Sequence, residues 1–269
     1  MSVALSETVE SVEPALRLRG VGRRFGGLHA VSEVDLEVTP GERRAILGPN
    51  GAGKTTLFSV IAGDFPATSG DVTLFGENVT HMPARHRAKL GLARTYQQSR
   101  LLLGLSVEDN IYLSILGVRK GHLRPVRIPR RDGEMRERAR RAAARVAIDE
   151  RQLKEIVGNL SHGEHRQVAV AMALAAEPKI LMLDEPASGL SRGERTLLTD
   201  LLLSLDREIT LLLIEHDMDV ALRVVERVTM MHDGRVIVEG TPGEIRANPL
   251  VHELYLGSTH YAEEDPADG

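Results

Sequence analysis

The 269-residue chain contains no cysteine and no tryptophan, and aromatic residues make up only 3% of it. Without cysteine the protein can form no disulfide, no thiolate zinc site and no thiol nucleophile, which fits a cytoplasmic chain. So few aromatic side chains also argue against a surface that binds nucleic acid by base stacking. The cysteine-dependent sites are therefore excluded, and a base-stacking surface is not expected.

Long hydrophobic runs are also lacking. No stretch approaches the roughly 18 apolar residues that a membrane-spanning helix needs, and the N-terminal segment MSVALSETVESVEP is acidic where a signal peptide would be basic and then apolar. We therefore expect any membrane role to come through a partner. The formal net charge of −4 gives no sign of bulk affinity for nucleic acid, so no nucleic-acid partner is expected.

The chain does have enough apolar material for a sizeable core, because 42% of its residues are hydrophobic and 27% are charged. We expect one folded domain over residues 15–257. The ends, residues 1–14 and 258–269, are polar, acidic and without periodicity, so both are expected to be mobile tails.

Two kinds of strand pattern occur in the predicted domain. ALRLRGV and EVDLEV are typical of antiparallel strands, whereas RAILG, KILMLDE and ITLLLIEH are continuous apolar runs, as in strands buried on both faces of a parallel sheet. Helix-prone segments follow these three runs, at 54–62, 193–205 and 220–225. The sequence therefore predicts an α/β fold.

The middle of the chain, about 99–163, is predicted to be a helical insertion in the sheet domain. It lacks buried-strand runs and includes the Ala/Arg-rich stretch DGEMRERARRAAARVAI. Its arginines allow a nucleic-acid or anionic-lipid surface as one alternative. Acidic residues interspersed at helical spacing favour a solvated helix face instead.

The stretch GPNGAGKTT, residues 48–56, matches the phosphate-binding pattern G-x-x-x-x-G-K-[ST] between an apolar strand and a predicted helix. Its glycines let backbone N–H groups wrap phosphate oxygens at a helix N-terminus, where the helix dipole favours negative charge. Lys54 would bridge the terminal phosphates, and the Thr55 hydroxyl would bind Mg²⁺. We therefore predict a binding site for a nucleoside triphosphate, with residues 48–56 as its P-loop.

A second motif, KILMLDEP, ends a predicted buried strand in two carboxylates. Asp184 is placed to hold Mg²⁺ through water, and Glu185 to polarise an attacking water. A helix-capping role would explain one carboxylate but not the pair. His216 ends a further predicted strand, and on its own such a histidine is usually an ordinary surface or core residue.

Taken together, the order and spacing of these motifs resemble the ATP-binding subunits of ABC transporters. The elements of this resemblance are GPNGAGKTT, Gln97 in RTYQQ, LSHGE at 160–164, Asp184–Glu185, SGLS at 188–191 and His216. The resemblance implies a P-loop NTPase (RecA-like) core with an antiparallel β subdomain and an inserted helical subdomain. It also implies ATP hydrolysis with Mg²⁺ in a head-to-tail dimer, where the LSHGE of one subunit caps the ATP on the other's P-loop.

The resemblance assigns roles to the candidate site residues. It implies that Glu185, His216 and Gln97 are catalytic, with Gln98 as the alternative to Gln97, and that Thr55, Gln97 and Asp184 serve the metal. The implied ATP contacts are Phe25 on the adenine, the P-loop and the LSHGE segment: Gly48, Pro49, Asn50, Gly51, Ala52, Gly53, Lys54, Thr55, Thr56, Ser161, Gly163 and Glu164. Phe25 could equally be an ordinary core residue.

The sequence departs from the family pattern at three places. LSHGE has His162 and Glu164 where the signature LSGGQ has glycine and glutamine, and Ser191 replaces the usual aspartate of the SGLS segment. The His162 side chain either points away from the nucleotide or adds a contact. None of the three changes removes an expected catalytic group.

Finer features resemble one branch of the family, the ATPases of branched-chain amino acid importers and of related importers for small polar solutes. These features are RRFGGLHAV, IEHDMDVAL, DGRVIVEGTPGEIRANP and VHELYLG. The implied partners are two transmembrane permease subunits, a second ABC ATPase in a homo- or heterodimer and, indirectly, an extracytoplasmic solute-binding protein. The implied location is peripheral, on the cytoplasmic face of the inner membrane.

Two alternatives stay open at this point. One is the ATPase of a lipid or lipopolysaccharide exporter, whose partners would include no solute-binding protein. The other is a non-transport ABC ATPase of translation or DNA repair. The single ATPase unit and the spacing of about 110 residues between P-loop and signature disfavour this second alternative.

Overall fold

The computed structural model describes residues 13–95, 101–118 and 133–256. Most of both predicted tails lies outside these ranges, as do Gln97 and Gln98. The strands are β1 (Leu16–Phe25), β2 (Leu28–Val38), β3 (Arg43–Leu47), β4 (Ser69–Leu74), β5 (Glu77–Asn78), β6 (Leu92–Arg94), β7 (Ile180–Asp184), β8 (Thr210–Ile214), β9 (Arg227–His232) and β10 (Arg235–Gly240). The helices are α1 (Lys54–Ala62), α2 (Ala84–Lys89), α3 (Val107–Val118), α4 (Gly133–Arg145), α5 (His162–Ala175), α6 (Arg192–Ser204), α7 (Met218–Val224), α8 (Pro242–Ala247) and α9 (Pro249–Leu256).

The strands form two sheets of different character. One is antiparallel, in the order β2-β1-β4-β5, and the other has the order β10-β9-β3-β8-β7-β6. In the second sheet β9, β3, β8, β7 and β6 run parallel, and β10 is antiparallel to β9. The predicted α/β core with an antiparallel subdomain is thus confirmed.

Burial explains why the three continuous apolar runs became the centre of the parallel sheet. Every residue of β3, β7 and β8 is buried, including Arg43 and Arg44 at the start of β3, and the other side chains on both faces are mainly apolar. In β2 burial alternates along VDLEV, as expected for a strand with one solvated face. The strands β4, β5, β6, β9 and β10 were not predicted from the sequence.

Helices α3, α4 and α5 pack against one another and are called the helical lobe below. Buried residues of α4 are spaced along one face of a highly polar helix, including Met135, Ala139 and Ala143. Arginines of the same helix pair with acidic residues, such as Arg136 with Glu108 and Asp109. Because α5 packs on the other two helices, we propose that the helical subdomain extends past residue 163 to the end of α5.

No helix within the described ranges is both long enough and apolar enough to cross a bilayer.

A buried arginine fixes the C-terminal end of α1, the helix that follows the P-loop. The guanidinium of Arg87 is 1% exposed and donates to the carbonyl oxygens of Val60 (2.8 Å) and Ile61 (2.7 Å). It also donates to the carbonyls of Met82 and Thr80. The bond to Ile61 satisfies one of the carbonyls that a helix end leaves without intrahelical partners, whereas the Val60 carbonyl also accepts from the Gly63 N–H. Burial lowers the pKa of Arg87 to about 10, so it stays charged at neutral pH.

Replacing this arginine should destabilise the core. We expect Arg87→Ala to lower the free energy of unfolding by about 3 kcal/mol, because it leaves buried carbonyls without donors. Arg85→Ala, on the exposed side of α2, the helix that contains Arg87, should change the free energy of unfolding by less than about 0.5 kcal/mol. Urea unfolding of both variants measures the difference. Equal stability of the two would show that the Arg87 bonds contribute nothing.

Candidate functional site

Three adjacent parallel strands place the predicted chemistry along one edge of the sheet. β8 lies between β3 and β7, and Ile214 at the end of β8 is in register with Ile46 of β3 and with Asp184 of β7. The chain segments that leave these strands are therefore neighbours. Ligands of open α/β sheets bind at this carboxyl edge.

Glycines give the P-loop a conformation that other residues could not adopt easily. Gly48 and Gly53 have φ values of 151° and 96°. A Cβ atom on Gly48 would collide with the Met231 carbonyl oxygen, and one on Gly53 with the Ala30 carbonyl oxygen. Gly51, at φ 85°, has open space where a Cβ would stand. The loop is thus held against the protein at two glycines and is open at the third.

The ammonium group of Lys54 is folded back into the P-loop. Its Nζ atom donates to the carbonyl oxygens of Gly48 at 2.6 Å and Pro49 at 2.9 Å. The residue is only 7% exposed, and burial lowers the pKa of its ammonium group. The carboxylates of Glu185 and Asp184 oppose that shift. A bound phosphate would offer the same charge compensation in place of the carbonyls.

The residues around Lys54 include oxygen donors that suit Mg²⁺. Thr55 is exposed at the start of α1, and Asp184 is 2% exposed at the end of β7. Arg94 donates to Asp184 Oδ2 at 2.8 Å and to Asp64 Oδ2 at 2.9 Å, which orients the Asp184 carboxylate. Mg²⁺ usually takes one or two protein oxygens together with substrate phosphates and water. The donor set of Thr55 and Asp184 therefore fits this ion.

Glu185 has an unusual backbone conformation for a residue other than glycine. Its φ is 48°, and its N–H donates to the carbonyl oxygen of Ile214 at 2.9 Å. Such a conformation costs on the order of 1 kcal/mol and is enriched at functional sites. It brings Glu185 to the segment that carries His216, whose side chain is 55% exposed.

A buried carboxylate that was not predicted from the sequence connects the chain segments that contain these two residues. Glu215 is 0% exposed, and its Oε1 accepts a hydrogen bond from the Ala187 N–H at 2.7 Å. Burial raises the pKa of Glu215, while the N–H of Ala187 and the neighbouring His216 favour its charged form. Its position directly before His216 was visible in the sequence, but a carboxylate at a strand end gives no signal for the residue that it contacts.

The LSHGE segment opens α5 with a capping box. The Ser161 Oγ accepts from the Glu164 N–H at 3.3 Å, and the Glu164 Oε2 accepts from the Ser161 N–H at 2.8 Å. These bonds to Ser161 lower the pKa of the Glu164 carboxyl. Ser161 is thus the N-cap of α5, and contacts of these residues with ATP stay a prediction.

The remaining positions of this segment contact the chain that follows β7. Gly163 lies against the end of the Glu194 side chain, where an added Cβ would require the Glu194 carboxylate to move. The His162 ring lies beside Gly189, with its Cδ2 3.5 Å from the position that a Cβ of Gly189 would take. The His162 ring therefore lies on the side of Gly189 where a side chain would stand, within its own subunit.

Phe25 lies on the surface and not in the core. Its ring is 39% exposed and meets Phe65 edge to face, with the centroids 5.5 Å apart. The guanidinium of Arg23 lies 4.4 Å from the Phe25 ring centroid. This position keeps the ring available for stacking, and its contact with adenine stays a prediction. The predicted roles of Gln97 and Gln98 lie outside the described residues.

With the fold and site described, the class of protein follows. The chain belongs to the ABC transporter family of ATP-binding proteins, since the family described as "ABC transporter" matches residues 31–188. Members of this family are ATPases that drive transport, and this chain has their P-loop NTPase fold. A further family, described as "Branched-chain amino acid ATP-binding cassette transporter", matches residues 235–261.

Individual relatives refine this assignment. The chain is 35% identical over 252 residues to the high-affinity branched-chain amino acid transport ATP-binding protein LivG of Escherichia coli, covering 91% of this chain and 98% of that one. Among solved structures, the ADP conformation of an ABC transporter cassette aligns with a TM-score of 0.80 and 28% identity, over 91% of this chain and 99% of that one. A dimeric post-hydrolysis cassette bound to ADP and phosphate aligns with a TM-score of 0.73 and 26% identity, over 84% and 98% of the two chains.

Removing the Glu185 carboxylate should separate binding from hydrolysis. We expect Glu185→Gln to bind ATP normally and to hydrolyse it at least about a hundredfold more slowly, because the group that orients or deprotonates water is lost while the P-loop is unchanged. Glu150→Gln, at an exposed position, is the matched control. Equilibrium ATP binding and steady-state phosphate release are the measurements. Turnover close to that of the control would remove Glu185 from the mechanism.

Proposed function

We propose that this ATPase powers an importer for branched-chain amino acids or a related small polar solute. The observation that carries the ATPase part is the convergence of Lys54, Asp184, Glu185 and His216 at the carboxyl edge of three adjacent strands. The transported class is supported by the family match at residues 235–261 and by the similarity to LivG along nearly the whole chain.

The P-loop residues would hold the phosphates of ATP. The N–H groups at the start of α1 face the bound anion, and Lys54 exchanges its carbonyl partners for phosphate oxygens. Thr55 and Asp184 would hold Mg²⁺, which supplies neutralisation of phosphate charge when it is bound. Gln97 is proposed to assist at the metal and the attacking water.

Glu185 and His216 would act on different groups in the same phosphoryl transfer, the attacking water and the terminal phosphate. Glu185 orients the attacking water and accepts its proton, whereas His216 donates a hydrogen bond to the terminal phosphate. The register of β7 with β8 supports this arrangement, because it brings the ends of both strands side by side. The adenine would stack on Phe25.

We further propose that two ATPase subunits bind head to tail around two ATP molecules. Ser161, Gly163 and Glu164 lie at the N-terminus of α5 in the helical lobe, whereas Lys54 begins α1 in the core. The N–H groups and the dipole at a helix N-terminus favour binding of a phosphate. The N-terminus of α5 would therefore contact the ATP bound to the second subunit. The similar cassette that was solved as a dimer supports this assembly.

A groove between the two lobes offers a docking place for a permease subunit. It encloses about 350 Å³ and is lined mainly by small apolar side chains from both lobes, among them Ala62, Ala88, Ala93, Ala169 and Ala173. A helix of a membrane subunit fits a concave apolar surface of this kind. Two such permeases would hold the ATPases at the cytoplasmic face of the membrane, and a solute-binding protein would act from the other side.

The experiment uses the hydrolysis-deficient chain to trap the complex. Glu185→Gln protein is purified by affinity from native membranes with ATP and Mg²⁺, and proteins that co-purify are identified by mass spectrometry. We expect two permease subunits, an ATPase partner and a solute-binding protein. Binding of radiolabelled branched-chain amino acids to the recovered solute-binding protein is then measured. Permeases without a binding protein would favour export, and ribosomal or DNA-repair proteins alone would contradict a transport role.

A further inference from the structure

The loop after β7, residues 186–191, is tied repeatedly to one short segment of the chain. This segment, residues 214–217, contains His216 and is called the switch segment below. The loop folds on itself through hydrogen bonds from the Ser188 N–H to the Glu185 carbonyl and from the Leu190 N–H to the Ala187 carbonyl. Its last residue, Ser191, caps α6 through reciprocal hydrogen bonds with Glu194. Further contacts connect the loop and the residue before it to the switch segment.

Two of these contacts lie in the interior. The Glu185 N–H donates to the Ile214 carbonyl at 2.9 Å, and the Ala187 N–H donates to the Glu215 carboxylate at 2.7 Å. The first bond fixes the residue that precedes the loop, and the second holds the first half of the loop. They leave the second half, which contains Gly189 at φ 75°, without a tie to the switch segment.

Arg195, in the first turn of α6, connects the second half of the loop to the switch segment. Its Nε donates to the Leu190 carbonyl oxygen at 3.1 Å, and its Nη1 donates to Asp217 Oδ2 at 3.0 Å. One rigid guanidinium thus holds the end of the loop and the end of the switch segment at the same time. A lysine could not make both bonds with this geometry, because its ammonium group lacks the planar fork.

The other carboxylate oxygen of Asp217 caps a helix. Asp217 Oδ1 accepts from the N–H groups of Asp219 at 3.1 Å and Val220 at 3.2 Å, and so caps α7. The cap fixes the carboxylate that Arg195 holds. The contact is therefore built between two ordered helices, and α6 and α7 pack against each other.

Stability alone is a poor explanation for this contact. The Arg195 side chain is 42% exposed and that of Asp217 23% exposed, and ion pairs with this degree of exposure typically contribute about 0–1 kcal/mol. The contact does, however, set the spacing between the loop that follows Glu185 and the segment that carries His216. Misplacement of reacting groups by about 1 Å can lower a rate by roughly a hundredfold.

We propose that Arg195 is a positioning residue for ATP hydrolysis. By holding Leu190 and Asp217 together, it keeps Glu185 and His216 at the spacing needed to act on one terminal phosphate. This inference rests on the proposed roles of Glu185 and His216 and adds a residue that acts through the loop and the switch segment.

The test is a double-mutant cycle measured by steady-state ATPase kinetics on the full chain. Arg195→Gln removes the charge and fork, and Asp217→Asn keeps the helix cap but removes the ion pair, because asparagine caps helices as well as aspartate. Arg207→Gln, which breaks an exposed ion pair with Glu226 away from the site, is the matched control.

We expect each of the two variants to lower kcat by about tenfold while KM for ATP changes by less than about twofold. The double variant should be no slower than the single ones, because they break the same contact. The control should keep its kcat, and thermal unfolding midpoints of all variants should agree within about 3 °C.

An unchanged kcat in Arg195→Gln would overturn the proposal, and so would losses that multiply in the double variant or a loss confined to KM. A kcat loss matched by a large fall in the unfolding midpoint would also overturn it, by showing a structural role. Glu185→Gln separates this result from the proposed function. Normal turnover in Glu185→Gln would reject the catalytic assignment itself, whereas slow turnover there with an unaffected Arg195→Gln would reject only the positioning role.

Discussion

The parallel ladder of β3, β8 and β7 is the constraint on which the rest of the structure depends. Its register sets Ile214 level with both Ile46 and Asp184. The P-loop, the loop after β7 and the switch segment therefore leave the sheet side by side. A slip of one residue in either pairing would turn every side chain of the shifted strand to the opposite face and separate these groups. Every residue of the three strands is buried in that register, including the charged Arg43 and Arg44 of β3 and Asp184 of β7.

Charge compensation is the second feature that the site depends on. Lys54 is buried in the P-loop, where two backbone carbonyls and the nearby carboxylates of Asp184 and Glu185 offset the cost of its desolvation. Arg94 does the same for Asp184, and Arg87 for the end of α1. The site is thus preorganised for an anion at the P-loop, since ATP phosphates would meet a lysine that is already in place.

Much of the fold was predictable because its signals are local. The P-loop glycines, the three continuous apolar runs and the Ser161 N-cap are each encoded within about ten residues, and α1 begins and ends at the predicted residues 54 and 62. The contacts missed from the sequence join distant positions: Arg94 meets Asp184 across 90 residues and Arg43 meets the Leu205 carbonyl across 162. Strand order decides such pairs, and a single sequence does not encode it locally. The edge strands β6 and β10 were missed because they are short or only partly buried.

The central claim is that this edge of the sheet binds the phosphates of ATP through Lys54. It is tested most directly by measuring the ATP dissociation constant of Lys54→Ala by calorimetry, with Lys89→Ala at an exposed position as the control. Loss of the ammonium group should weaken ATP binding by at least about tenfold, or roughly 1.4 kcal/mol, because a charge-assisted contact to the phosphates disappears. The control should bind as the unmodified protein does. Equal affinity of Lys54→Ala and the control would contradict the account.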